Sequence, residues 1–368
     1  MKIGIAAIFK NEFPYILEWL AYHRLLGVDK FYIADNISND GSTELLESLD
    51  ELGYITRIPF HRVANRSPQK DAYNHILQEY GSEVDVLGYI DADEFIHVDG
   101  DFRQLVQRFH DSEFGAMALN WKIYGSNHAF FPTSDLVIER FTKHAPMDED
   151  NNRHIKTLVK PNKASEMNIH ECTLADSAYC HTGLELCEFD DSKAKTVQVR
   201  HEGAYVKHYV VKSRIEHFIM KMNKGSAAGS EKRKKGISYF VGHDINVLDE
   251  QVDSALVVEL KAQIEHIQND LIHNSSFMRA GHGVVNIDRE ERVIRGWVVG
   301  ENKVPATIKF TYGDNEKVIP VRLNRPDVVR KGITNEVKCG FNSKLDINFD
   351  EYECKAYITG SIQELKVE

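Results

Sequence analysis

The sequence predicts an α/β fold with a mainly parallel central sheet, followed by a small C-terminal antiparallel domain resembling a β-sandwich. Three observations carry this: short apolar runs alternate with helical patterns from Ile3 to Ile90, several of those runs end in clusters of polar residues, and after Gly283 short alternating strands follow one another without helices.

Residues 3–8 read as a compact apolar strand closed by Lys10, Asn11 and Glu12. Pro14 suits the first turn of a helix whose inward face is Ile16, Leu17, Leu20 and Ala21, and Gly27 ends it. A second strand, 31–34, runs into Asp35, Asn36, Ser38, Asn39, Asp40, Gly41 and Ser42; residues 43–52 read as helix, 53–58 as a third strand and 71–79 as helix. The apolar run 86–90 then stops at Asp91, Ala92, Asp93 and Glu94. Carboxylates packed this closely repel, so solvent, a divalent cation or both must offset them. Taken alone the motif is equally a solvated turn. In a parallel sheet the carboxyl ends of the strands form the ligand crevice, and three polar strand ends, at 10–12, 35–42 and 91–94, converge there.

Helix 102–110 and strand 116–121 lead into 123–147, rich in Gly, Asn, His, Pro and aromatics, which reads as a shaped binding surface. Strands are expected at 154–160 and 164–169, a connector at 189–196 and a long helix over 204–221. The small residues 225–230 and the basic run 232–235 form either a lid over a nucleoside diphosphate or an ordinary solvated loop. Leu256, Leu260, Ile264, Ile267 and Leu271 make a helix with one apolar stripe, docked on the core or on a second subunit. The expected organisation is a catalytic domain over 1–246, a helical linker over 247–282 and an all-β accessory domain over 283–368, with strands near 293–299, 306–312, 317–323, 344–347 and 353–358.

A net charge of -11 over 368 residues argues against indiscriminate nucleic-acid binding. No apolar stretch approaches the ~18 residues of a spanning helix, and Met1 to Phe9 read as a strand, not a secretory leader. Five scattered cysteines, Cys172, Cys180, Cys187, Cys339 and Cys354, fit reduced thiols. These features point to a cytoplasmic protein, with peripheral membrane contact and homo-oligomer formation left open.

An ordered set of residues resembles the GT-A glycosyltransferases of the family 2 superfamily, especially the family 92-like branch. It comprises Lys10, Asn11 and Glu12; Glu18, Trp19 and His23; Asp35, Asn36, Ser38, Asp40, Gly41 and Ser42; Gln69; Asp91 to Glu94; Trp121, Gly125 and Ser126; and His208, Tyr209, Lys212, Ser213, Glu216, Phe218, Lys221 and Gly225. The resemblance implies transfer of a sugar from a nucleotide donor, a UDP-sugar, to a hydroxyl of a saccharide or glycolipid, with inversion and with Mn2+ or Mg2+ as cofactor. It implies Asp93 and His208 as metal ligands, and Asp91 as a third ligand or a ribose contact. Lys10, Glu12, Asp35, Asn36, Gln69, Lys212 and Lys221 are the implied donor contacts.

A cation touching the leaving diphosphate acts as a Lewis acid, and an inverting reaction needs a general base at the acceptor hydroxyl. Candidates for that base are Glu94, Asp148, His170, Glu171 and Glu202; Glu94 is alternatively a support for the metal aspartates, and His170 a metal or phosphate contact. Lys212 neutralises diphosphate or pairs with Glu216 one turn on. Trp121, beside Gly125 and Ser126, offers an indole face to a sugar ring or is a packing residue. Two other functions fit an acidic α/β cleft. A sugar-phosphate nucleotidyltransferase is disfavoured by the lack of an early glycine-rich phosphate loop, and a noncatalytic saccharide-binding protein would leave the cleft inert.

Overall fold

The computed structural model describes residues 1–61, 63, 66–222, 235–275, 281–300, 306–313, 315–345, 347–358 and 364–367. The chain divides into two compact units, Met1–Ile267 and Gln268–Glu368, and the division falls within the α-helix Ser254–Asn274.

Unit 1 is built on a curled sheet of β1 (Ile3–Phe9), β2 (Lys30–Asp35), β3 (Thr56–Pro59), β4 (Val86–Tyr89), β5 (Glu94–Val98), β6 (Ala116–Ile123), β7 (Ile155–Val159) and β8 (Ala204–His208). Their order is β3-β2-β1-β4-β7-β6-β8-β5. β1 to β4 are all parallel, and the side chains of β1, β2 and β4 are buried on both faces, the pattern of strands covered by helices. The helices start where capping chemistry allows. Ser67 accepts the amide of Lys70 ahead of Pro68–Tyr80, and Asp101 accepts that of Gln104 ahead of Phe102–Asp111. Gly27 and Gly41 both adopt a φ of +95°, which turns the chain out of one helix and into the next.

The sheet is mixed, correcting the expectation of a mainly parallel one. β7 runs antiparallel to both β4 and β6, and β5 antiparallel to β8, while β8 is parallel to β6. The curl follows from chain length. In a flat sheet β4 and β5 would lie four ladder spacings, about 19 Å, apart. The link from Tyr89 to Glu94 reaches about 17 Å at full stretch, yet it is a tight turn in which the Glu94 amide donates to the Asp91 carbonyl at 3.1 Å. The intervening strands therefore bend round, and residues of β6, β7 and β8 are carried up to the acidic turn.

The helix expected over 204–221 is instead β8, then the short helical turns Arg214–Glu216 and His217–Lys221. Ala204, Tyr205 and Val206 are buried in a row on an interior strand here, a pattern that periodicity alone does not separate from a buried helix. The small-residue and basic stretch read as a lid, 225–234, lies outside the described residues.

Unit 2 contains one seven-stranded sheet, in the order Asn315–Ile319, Ile308–Tyr312, Cys354–Ile358, Glu364–Val367, Gly281–Asp288, Val293–Gly300 and Gly340–Lys344. Its inward side chains, among them Val285, Ile294, Phe310, Phe341, Ala356 and Leu365, form a single core. A sandwich would need two facing sheets; here one sheet curls into a nearly closed barrel, which corrects that expectation. Among the described residues no helix is long and apolar enough to cross a membrane.

Candidate active site

The acidic turn sorts its carboxylates into two environments. Asp91 and Glu94 face inward. Asp91 accepts hydrogen bonds from the Gln69 amide at 2.5 Å and the Tyr73 hydroxyl at 3.0 Å, and its other oxygen lies 3.0 Å from Lys156 Nζ. That lysine is wholly buried on β7 and is 3.4 Å from Glu94, also wholly buried. Burial pushes both carboxyls up. Lys156 outweighs that effect at Asp91, whose pKa falls, but not at Glu94, which is held well above the usual carboxylate range. Lys156 itself is raised despite its burial, by Asp91 and Glu94. Glu94 Oε2 also accepts the Asp91 amide at 2.7 Å, which closes the turn on itself.

Asp93 faces the other way. Its Oδ2 pairs with Lys221 at 2.5 Å and its Oδ1 lies 3.6 Å from His208 Nε2, at the end of β8. Burial would raise Asp93, but Lys221 and His208 hold it well below its ordinary value. Burial also lowers His208 to about 4, so the imidazole is neutral and a possible ligand or proton acceptor at physiological pH. Its Nδ1 is buried and has no hydrogen-bond partner among the described residues.

Trp121 stacks on His154 at 4.7 Å and also touches His170 at 5.2 Å and His208 at 4.2 Å. Imidazoles thus occupy much of the indole surface expected to meet a sugar. His170 is lowered to about 3, first by burial and then by Lys156, and its Nδ1 meets the Ile155 carbonyl.

Beside Asp93 stands a platform built from distant parts of the chain. Tyr15 donates to Glu216 at 2.6 Å, Arg140 pairs with Glu216 at 2.6 Å, and Ser213 and Glu216 form a reciprocal capping box. Glu216 is therefore bound to Arg140, not to Lys212 as one alternative held. Lys212 is buried at a φ of +54°, a strained setting for a lysine, with its ammonium 4.1 Å over the Tyr15 ring. Burial lowers its pKa. Lys212, Lys221, Glu12 and Tyr15 line a water-sized gap of about 10 Å³. Two ammonium groups next to Asp93 and His208 make a setting able to hold a polyanion.

The other expected residues are placed as follows. Asp35 is wholly buried, with its oxygens taken by Thr43 and Arg57. Asn36 is buried at the end of β2, and Lys10 is exposed just after β1. Gly125 lies where a Cβ would meet the Ile245 carbonyl at 2.6 Å, and Ser126 is buried with its amide on Asp244. These two residues are buried and pack against the 244–246 segment. Asp148 is exposed on the 146–149 turn, and Glu171 bonds Asn168 at 2.8 Å. Glu202 precedes β8 at the end opposite His208, about 20 Å along the strand. The residues that sequence reasoning missed are Lys156, Tyr73, Tyr15 and Arg140. A signal existed only for Lys156, a lone cation within an apolar strand run.

The family model of glycosyltransferase family 92 matches residues 4–239. A family 92 protein of Oryza sativa subsp. japonica is 30% identical over 97 residues, covering 26% of this chain and 16% of that protein. One from Ricinus communis is 31% identical over 113 residues, covering 28% and 19%. The chain thus spans less than a fifth of the length of these curated relatives. Among solved structures, S. aureus TarS 1-349 in complex with UDP is similar at 12% identity and a TM-score of 0.30, over 44% of this chain and 47% of that one. The mannosyltransferase PcManGT from Pyrobaculum calidifontis, in complex with GDP-Man and Mn2+, is similar at 18% identity and a TM-score of 0.27, over 32% and 35%.

Proposed function

The chain belongs to glycosyltransferase family 92, and on that premise we propose that residues 1–246 transfer a sugar from a UDP-sugar to a hydroxyl of a saccharide or glycolipid, with inversion. The observation that supports this reading best is the pairing of Asp93 with Lys221 and its approach to His208 at the tip of the central sheet, with Lys221 and Lys212 lining an adjoining gap.

The divalent cation implied by the family fits this site in part. Among the described residues no three His, Cys, Asp or Glu side chains converge as a metal cage. Asp93 and His208 form a pair through Oδ1 and Nε2, and among the described residues the buried Nδ1 of His208 has no hydrogen-bond partner. A shell of one carboxylate, one imidazole, water and substrate phosphate oxygens is a normal one for Mg2+ or Mn2+. Asp91 does not fit as a ligand, because Gln69, Tyr73 and Lys156 already hold its oxygens. When bound, the cation supplies Lewis-acid stabilisation of the leaving diphosphate.

The chain's own residues do the rest. Lys212 and Lys221 neutralise phosphate charge, with Lys221 exchanging its contact to Asp93 for one to the donor. Lys156 keeps Asp91 fixed, so that the turn presents Asp93 in a single orientation. For the acceptor, His170 is the best placed of the expected bases. It borders the Trp121 cluster and is joined through that indole to His208, although burial, which lowers it to about 3, makes it a weak proton acceptor until the acceptor is bound. Glu94 is wholly buried against Lys156, and Glu202 lies at the end of β8 opposite His208.

The deciding experiment is transfer from a panel of nucleotide sugars with and without Mn2+, followed by nuclear magnetic resonance of the product. A UDP-sugar that is turned over only with metal, and yields the inverted anomer, is the expected result. Pyrophosphate release from a sugar phosphate and a nucleoside triphosphate would replace this reading with the nucleotidyltransferase.

A further inference from the structure

Unit 2 carries a groove of about 280 Å³ lined by Asn286, Arg295, Leu323, Asn324, Arg325 and Asn342. Three of these form one row across adjacent strands, since Asn286 pairs in register with Arg295 and Arg295 with Asn342. Neighbouring members of such a row stand about 5 Å apart. Strand alternation turns Arg295 and Asn342 outward while Ile294, Gly296 and Phe341 are buried. The facing wall, Leu323 to Arg325, is fixed in place. Leu323 and Gly340 exchange backbone hydrogen bonds at 2.9 Å, and the Arg325 amide donates to the Val337 carbonyl at 2.8 Å. A Cβ at Gly340 would meet Arg325 Cγ at 2.7 Å, so the glycine lets the wall sit close against the strand.

The charges in this groove are already matched. Arg295 pairs with Asp288 at 3.1 Å, and Arg325 grips Asp327 through two nitrogens, at 2.9 and 2.7 Å. What lines the groove is a set of amide and guanidinium donors and amide acceptors, the two guanidinium charges offset by Asp288 and Asp327 beside it, next to the half-exposed side chain of Leu323. A phosphate or carboxylate ligand would have to displace an aspartate. A ring bearing several hydroxyls can use the donors and acceptors together and lay a C–H face on Leu323. The space is just under the about 300–1,000 Å³ of sites that enclose a drug-sized ligand, so it suits one ring, not a buried chain.

We propose that this groove is a saccharide site for an uncharged sugar residue of a glycan, separate from the transfer site. It concerns unit 2 alone and stands whether or not unit 1 is a UDP-sugar transferase. The test uses the full chain and saturation-transfer difference NMR with methyl glycosides of glucose, galactose and N-acetylglucosamine as probes. Saturation of the ring protons of at least one probe is expected. Arg295→Ala and Asn342→Ala should each reduce it at least about fivefold, the worth of one lost hydrogen bond. Asp93→Asn in unit 1, and Lys317→Ala elsewhere on the unit 2 sheet, should leave it unchanged. Because Asn342 is exposed, its variant separates lost binding from lost folding, which thermal melts check directly. No saturation with any probe, saturation that the groove variants do not alter, or loss only in Asp93→Asn would overturn the proposal. Displacement of the glycoside by inorganic phosphate would overturn it too, in favour of an anion site.

Discussion

The inner and outer sides of the acidic turn show how one short motif can serve two purposes. Asp91 and Glu94 are enclosed with Lys156, a cation covalently part of the sheet and wholly buried. Asp93 is met by Lys221 and a neutral His208, next to the gap that Lys212 also lines. The inner side settles its charge permanently. The outer side leaves a carboxylate and an imidazole whose partners can be exchanged for a ligand. Charge repulsion in the motif therefore does not by itself call for a metal: a buried lysine resolves most of it, and one carboxylate remains for chemistry.

The largest effect should come from breaking the inner side. Lys156→Met leaves the part-buried Asp91 and the wholly buried Glu94 without a cation beside them, and breaking a comparable buried pair costs about 3–5 kcal/mol. Lys221→Met should cost well under half as much, because His208 remains beside Asp93. Urea denaturation of both variants measures the contrast, and equal losses would mean that the two sides are not different in kind.

Function should divide the other way. Asp93→Asn is expected to lower transfer at least about 100-fold, or about 2.7 kcal/mol of transition-state stabilisation, with little loss of urea stability. Asp91→Asn, which keeps the shape but weakens the tie to Lys156, should lose stability first and activity only in proportion to unfolding. Turnover retained in Asp93→Asn would remove the outer side from catalysis.

How much of this could be read in advance depended on whether a feature is local. The strand β4, its abrupt acidic end and the alternation of strands and helices before it are local patterns, and they were legible. The direction of β7 was not, because an apolar run carries no sign of which way it will lie. That direction is what brings Lys156 to Asp91, so the countercharge was hidden along with it. Tyr15, Arg140 and Glu216 meet across 201 and 76 residues of sequence. His208 was named from the family resemblance, yet its strand was read as helix because burial on both faces erases the period of two. Gly125 and Ser126 were legible as special positions but not as backbone packing, since the 244–246 segment they touch is remote in sequence.

A smaller effect concerns α1 (Ile16–Leu25), whose Trp19 indole donates to the Asp91 carbonyl at 3.1 Å. Glu18 accepts the amides of Val137 and Ile138, and burial outweighs those bonds, raising its carboxyl to about 7. Between its unfolded value near 4.5 and that folded value, the native state holds a proton that the unfolded state has lost. Stability from this group is therefore fully present below pH 4.5 and is lost as pH rises toward 7. On going from pH 7 to 5 it gains about 2 kcal/mol. Glu18→Gln should abolish that gain, so the variant loses more stability on acidification than its parent. His23, lowered to about 3 by burial on the same helix, acts in the opposite sense, since its unfolded form takes up a proton as pH falls below 6.5. Identical pH dependence of urea midpoints in parent and variant would show that Glu18 is already ionised in the folded chain.

The smallest expected effect lies at the platform that presents the outer lysines. Ser213 caps the turn from Arg214 and exchanges hydrogen bonds with Glu216, which Tyr15 and Arg140 hold in turn. Removing its hydroxyl in Ser213→Ala should cost about 1 kcal/mol, the usual worth of an N-cap. Lys212 precedes the cap directly and Lys221 follows two turns later, so a looser cap widens the range of positions open to both ammonium groups without removing either charge. Donor KM should then rise severalfold while kcat stays near its parent value, since the lysines are still there once the donor has bound. A fall in kcat at unchanged KM would instead place these lysines at the transition state alone, and would make the outer side of the turn a more rigid device than its exchangeable contacts imply.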